Sequence, residues 1–132
     1  MILAVDIGNS NIAFGTYDQC WVHQWRLSTV ANKTSDEYAI QLQSLFASEG
    51  ISLGAIKQVV MSSVVPPLTA TFQRMLGRLT QQQPLVISTS LRTGLSIAID
   101  NPHELGTDLL ANAVAGYQLT KMDCVVVDFG TA

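Results

Sequence analysis

One local pattern occurs at both ends of the chain, and it limits the folds open to the sequence. Leu3-Ala4-Val5-Asp6-Ile7-Gly8-Asn9-Ser10 aligns without a gap with Val125-Val126-Val127-Asp128-Phe129-Gly130-Thr131-Ala132. Both read apolar-apolar-Val-Asp-apolar-Gly-polar-small. A short apolar run is a buried strand. The aspartate ends it, the glycine permits a tight turn, and the small polar side chains offer hydrogen-bonding groups. The two copies lie much further apart than a solenoid repeat of about 20–50 residues. The spacing suits two related domains, each opening with a strand, an aspartate and a glycine turn. The predicted division is a domain over residues 1–120, then the first strand and phosphate turn of a second over 121–132. A chain that stopped at Ala132 would lack half of the cleft between them, and Asp123–Phe129 would be an exposed, adhesive edge.

Such a turn has specific chemistry. Backbone N–H groups around a glycine can cradle phosphate, because no Cβ blocks close approach. The Asp6 carboxylate repels phosphate, but it can hold Mg²⁺, directly or through water, and the metal then bridges to the phosphates. Two such turns facing each other would grip a nucleoside triphosphate from both sides. For either copy alone the plain alternative is a strand followed by a β-turn.

Composition narrows the partners. There are 7 Lys and Arg against 10 Asp and Glu, a net charge of −3, and no basic run that would track a nucleic-acid backbone. With 48% apolar and 13% charged residues the chain is no disordered segment. It has neither a signal-peptide pattern nor an apolar span of about 18 residues, so no membrane role and a cytosolic location are expected. Cys20 and Cys124 show no Cys-x-x-Cys spacing and no clustered His, and read as reduced packing thiols.

Along the chain, residues 2–7, about 11–17 and about 20–27 predict three strands in an antiparallel meander. Trp21, His23 and Trp25 share a parity on the third, so they are expected to pack together on one face, with His23 structural; a stacking platform for a base is the alternative for the tryptophans. Thr34-Ser35-Asp36-Glu37 is a capping box, and Tyr38, Leu42, Leu45 and Phe46 follow at helical spacing up to Gly50. Residues 56–61 predict a buried strand ending at Ser62 and Ser63, which either turn the chain or bind a ligand. Pro66 and Pro67 start a helix with Leu68, Phe72, Met75, Leu76 and Leu79 on one stripe. Leu85-Val86-Ile87 predicts another buried strand.

Asn101, Pro102 and Glu104 form a cap, a first helical residue and an N3 acid, and Gly106 interrupts that turn. A longer helix follows, with Leu110, Ala113, Val114 and Tyr117 on its buried side. Asp108 falls in its first turn, where the helix dipole favours an ionised carboxylate. There it can take a proton from a hydroxyl, or it is a plain N-terminal helix acid. The order βββαβαβα, then a further β, predicts an α/β fold: a ribonuclease H-like mixed sheet flanked by helices.

At this point the sequence resembles the type III pantothenate kinase family, of the acetate and sugar kinase, Hsp70 and actin superfamily. Four segments carry the resemblance: Asp6-Ile7-Gly8-Asn9-Ser10-Asn11, Ser62-Ser63-Val64-Val65-Pro66, Asn101-Pro102-His103-Glu104-Leu105-Gly106-Thr107-Asp108 and Asp128-Phe129-Gly130-Thr131-Ala132. It implies the N-terminal half of a duplicated two-domain actin-like ATPase fold. It also implies ATP-dependent phosphorylation of pantothenate to 4'-phosphopantothenate, the first step of coenzyme A synthesis. By the same resemblance Asp6, Ile7, Gly8, Asn9, Ser10, Asn11, Ile12, Ala13 and Thr131 contact ATP, with Mg²⁺ near Asp6. Ile99, Gly106, Thr107, Asp108 and Leu109 contact pantothenate, and Asp108 is the base. Asp128 helps to bind K⁺ or NH₄⁺, and the enzyme is a homodimer. The family usually has Arg where Leu109 stands, and frequently an aromatic residue where Ile99 stands. Leu109 motivates an alternative, a non-catalytic nucleotide-binding or regulatory paralogue with a degraded acceptor site. A weaker one keeps the fold and transfers phosphate to another alcohol or to water.

Overall fold

The computed structural model describes residues 1–129, apart from the side chain of His103. Five strands and three helices follow one another as β1 (Ile2–Ile7), β2 (Asn11–Asp18), β3 (Cys20–Ser28), α1 (Ser35–Ser48), β4 (Gln58–Ser63), α2 (Pro66–Thr80), β5 (Leu85–Val86) and α3 (Thr107–Thr120). This is the βββαβαβα order that the residue patterns predict. The sheet runs β3-β2-β1-β4-β5. β1, β2 and β3 pair antiparallel, whereas β1–β4 and β4–β5 pair parallel. The parallel pairs are joined through helices, as parallel connections require.

The core lies on one face of the sheet. Leu3, Val5, Ile7, Ile12, Phe14, Val59 and Met61 project from it and meet α1 through Tyr38, Leu42 and Phe46 and α2 through Leu68, Phe72, Met75 and Leu76. Each such side chain contributes roughly 1.5–3 kcal/mol by leaving water. Helix α1 begins at the expected capping box, in which the Thr34 hydroxyl accepts from Glu37 N at 3.3 Å and Glu37 Oε2 accepts from Thr34 N at 2.8 Å. It ends in a Schellman turn: Gly50, at φ +67°, lets Ile51 N reach Phe46 O at 2.9 Å.

Several expectations are corrected. β5 keeps only two residues at the sheet edge, and Leu85 is half exposed, because a short edge strand has one neighbour to bury it. Trp21 does not share a face with His23 and Trp25. Trp21 pairs with Tyr17 and His23 with Thr16, so Val22 is a β-bulge. One extra residue reverses the alternation. His23 and Trp25 therefore stack towards Phe46 on the core side, while the Trp21 ring lies over Gly15 on the opposite face. Cys20 and Cys124 are free but exposed, not packed inside. On α3 only Leu110 is fully buried, and Tyr117 is exposed. Asn101 directs its amide to the Glu104 carboxylate at 2.7 Å and does not cap the 3-10 turn Pro102–Glu104. Residues 123–129, expected as a strand, pair with no strand among the described residues. They run along α3, with Val126 and Cys124 against Gly116.

Candidate active site

The site grows from the register of the sheet. Ser62, Asp6, Ala13 and Arg26 are direct neighbours across β4, β1, β2 and β3. Paired residues point to the same face, so these four form a row on the face away from the core. Small Ala13 leaves room between the Asp6 carboxylate and the Arg26 guanidinium. Helix α3 lies over the β4 end of this face, and a cleft of ≈ 930 Å³ opens between them. That lies within the size range of small-ligand sites, about 300–1,000 Å³.

The β1–β2 turn lines the cleft through Gly8, Asn9, Ser10 and Asn11. Gly8 N donates to Asn11 O at 2.9 Å, and a Cβ on Gly8 would crowd that same oxygen at 3.1 Å. Glycine is needed here for close approach. From the side, Thr29 anchors the turn: its hydroxyl donates to Gly8 O at 2.6 Å and its N–H to Ser10 O at 3.0 Å. Nothing in the residue pattern marks Thr29, which lies 21 positions away from Gly8.

Three carboxylates face the cleft: Asp6 from the end of β1, Asp108 from the first turn of α3, and Asp128. Asp128 Oδ2 accepts from Asn112 Nδ2 at 2.9 Å. Asn112 lies one helical turn beyond Asp108 on the same face, a signal present in the sequence but not used there. The Asp6 carboxyl is held above the usual aspartate range. Loss of hydration in the cleft is the main cause, followed by the charge of Asp108; the Ser62 hydroxyl opposes the shift, and the charge of Asp128 adds to it. Arg26 is the only Lys or Arg among the described lining residues. Such a site favours a cation and, without one, would repel a triphosphate. Among the described residues no three His, Cys, Asp or Glu stand close enough to hold a metal by themselves. A Mg²⁺ at Asp6 would keep water or phosphate oxygens in its shell, as that ion usually does.

The expected site residues divide by direction. Asp6, Gly8, Asn9, Ser10, Asn11 and Ala13 line the cleft, while the Ile7 and Ile12 side chains point into the core and leave only their backbone to the turn. Asp108 lines the cleft, half-buried, with Oδ1 accepting from Leu109 N at 2.8 Å. Gly106 lies so close to that carboxylate that a Cβ there would collide with it. Leu109 and Ile99 are exposed and outside the described lining. The Thr107 hydroxyl is engaged by β4: it lies 2.9 Å from Ser62 Oγ and accepts from Ser63 N at 3.3 Å. Ser63 Oγ is taken up locally by Thr69 and Val65. Thr131 lies outside the described residues.

Residues 2–132 match the family model for type III pantothenate kinase. Type III pantothenate kinases from Brevibacillus brevis, Pelobacter propionicus and Geobacter sulfurreducens are 47%, 45% and 44% identical over 133 aligned residues, with 100% of this chain and 52% of each relative covered. The chain thus spans about half the length of the curated relatives it matches. Among solved structures, a Porphyromonas gingivalis protein named as an N-acetylglucosamine kinase superposes with a TM-score of 0.51 at 14% identity, over 70% of this chain and 37% of that one. That likeness bears on the fold alone: a mixed sheet flanked by helices.

Proposed function

The chain belongs to the type III pantothenate kinase family, and we propose that it supplies one lobe of an enzyme that phosphorylates pantothenate with ATP to give 4'-phosphopantothenate. In this reading residues 1–120 are the first lobe and 121–132 begin the second. The observation that carries the reading is the convergence of Asp6, Asp108 and Asp128 on one cleft beside the Gly8 turn.

The Gly8–Asn11 turn receives the phosphates, and Asp6 would hold their Mg²⁺, directly or through water. Such an ion would supply neutralisation of phosphate charge beyond what Arg26 alone brings to the cleft. Asp108 accepts the proton of the pantothenate hydroxyl as that oxygen bonds to the γ-phosphorus and the bond to ADP breaks. Phosphoryl transfer depends more on positioning and charge neutralisation than on a strong base, so an ordinary carboxylate suffices. Asp128, steadied by Asn112, is the proposed ligand of a monovalent cation, K⁺ or NH₄⁺, and Thr131 the proposed further ATP contact. A homodimer in the cytoplasm completes the reading, as the family resemblance implies. No described helix is long and apolar enough to cross a membrane.

The test is ADP release by the full-length enzyme with Mg-ATP and K⁺, with and without pantothenate. Release that requires pantothenate, and that Asp108→Asn reduces at least about a hundredfold while nucleotide binding persists, is the expected outcome. Unchanged turnover in Asp108→Asn would remove Asp108 from the role of base. A second reading rests on Leu109, exposed beside Asp108 where the resemblance implies Arg. Leucine cannot make the charge-assisted bonds of a guanidinium. A nucleotide-binding paralogue would bind ATP yet release no ADP in response to pantothenate.

A further inference from the structure

Arg26 lines the cleft together with the carboxylates of Asp6, Asp108 and Asp128, yet it pairs with none of them. The ion pairs among the described residues are His23–Glu49 and Arg78–Asp36, and the Arg26 guanidinium makes no hydrogen bond to a described residue. A guanidinium is always charged and presents five N–H donors in a planar fork that matches a phosphate or a carboxylate. With no acceptor engaged in the protein, the whole fork is available to a ligand.

The register of the sheet says where that ligand lies. Arg26 is on the edge strand β3, beside Ala13 of β2, which is beside Asp6 of β1. Strands lie about 4.8 Å apart, so about 10 Å of sheet separates the backbones of Arg26 and Asp6. Only the methyl group of Ala13 stands in the lane between them. One row further from the turn, the Trp21 ring covers Gly15, where a Cβ would come within 2.6 Å of it. The lane is thus walled on that side and open towards Asn11, two residues before Ala13 on the same face of β2. Asp108, which faces the acceptor, comes from α3 over β4, three strands away from β3. The Arg26 fork therefore belongs to the nucleotide end of the cleft and not to the carboxylate of the acceptor. A phosphate in the lane is attracted by Arg26 on one side and faces Asp6 on the other.

We propose that Arg26 is a further catalytic residue: its guanidinium reaches across Ala13 and donates to the oxygens of the terminal phosphate of ATP, holding them through transfer. Donors fixed where charge is carried in the transition state act most strongly on the rate. The proposal rests on the kinase reading above for the reaction, while the phosphate contact is readable without turnover. The experiment uses the full-length enzyme with Arg26→Met, which keeps an unbranched stem without the charge, and Arg26→Lys, which keeps the charge without the fork. It measures kcat and KM for each substrate, and binding of ADP and of a non-hydrolysable ATP analogue, each with Mg²⁺. Arg26 is exposed, so both variants should melt with the parent. Arg26→Met is expected to lower kcat at least about a hundredfold, with KM for pantothenate changed less than about twofold. Arg26→Lys should fall between it and the parent, because an ammonium cannot make the two parallel bonds of the fork. The parent should bind the ATP analogue more tightly than ADP, and Arg26→Met should lose that preference while keeping its affinity for ADP. Retention of the preference in Arg26→Met would overturn the proposal, as would a parent that binds both nucleotides equally. A loss confined to KM for pantothenate would also overturn it and move Arg26 to the acceptor. If the parent shows no pantothenate-dependent turnover, the kinase reading falls; loss of the triphosphate preference in Arg26→Met would still uphold the contact.

Discussion

Asp6 shows how a single residue can be placed against the stability of the fold. Its carboxyl is held above the ordinary value of 3.8 by lost hydration and by the charges of Asp108 and Asp128. The folded protein therefore binds this proton more tightly than the unfolded chain does. Below pH 3.8 the group is protonated in both states and carries no penalty; as pH rises through the raised folded value, stability is lost. Asp6→Asn should accordingly raise the melting temperature of the ligand-free full-length protein at pH 7, with the gain vanishing near pH 3. The same variant should lose the stabilisation that Mg-ATP gives the parent. A lower melting temperature at pH 7 would show that Asp6 is held by interactions worth more than the repulsion. This is the pattern of a functional group kept in spite of the fold.

At the scale of elements, the start of α3 is set by what its neighbours leave room for. Gly106 passes so close to the Asp108 carboxylate that any side chain there must displace it. Gly106→Ala should therefore lower turnover of the full-length enzyme at least about tenfold by moving the base, since misplacement by about 1 Å can cost a hundredfold. Mg-ADP binding at the Gly8 turn, on a different element, should be retained. Kinetics alongside nucleotide titration checks this, and equal losses in both would point to general damage to α3. The β2–β3 hairpin shows the same dependence on neighbours. Its bulge at Val22 sends Trp21 over Gly15, where a Cβ would come within 2.6 Å of the ring.

Across the whole molecule, apolar surface is distributed unevenly. The face with α1 and α2 is closed around Tyr38, Phe46 and Phe72, whereas Leu119, Val125, Val127 and Phe129 are each more than two-thirds exposed. Contiguous exposed apolar surface marks an interaction surface. The 132-residue chain alone is expected to self-associate at micromolar concentration, and Val125→Lys with Val127→Lys should reduce this in light scattering. Unchanged scattering would shift attention to the Trp21 face. Removal of the core Phe72 side chain by Phe72→Ala should instead cost about 3–5 kcal/mol in chemical denaturation, by cavity formation between α1, α2 and the sheet.

Local patterns determined most of the elements. The capping box placed α1, the paired prolines placed α2, and apolar runs ended by Asp6 and Ser63 marked β1 and β4, because caps, φ restriction and periodicity act within a few residues of chain. The turn after Asp6 and the first-turn position of Asp108 were legible for the same reason. Tertiary structure alone decided that Asp6, Ser62 and Arg26 share a row, that Thr107 is bonded to β4, that Thr29 holds the Gly8 turn, and that a bulge carries Trp21 to the cleft face. Each of these depends on strand register or on a bond between residues distant in sequence. A register shift of one residue reverses every side chain on a strand, and no local pattern records which partner lies alongside.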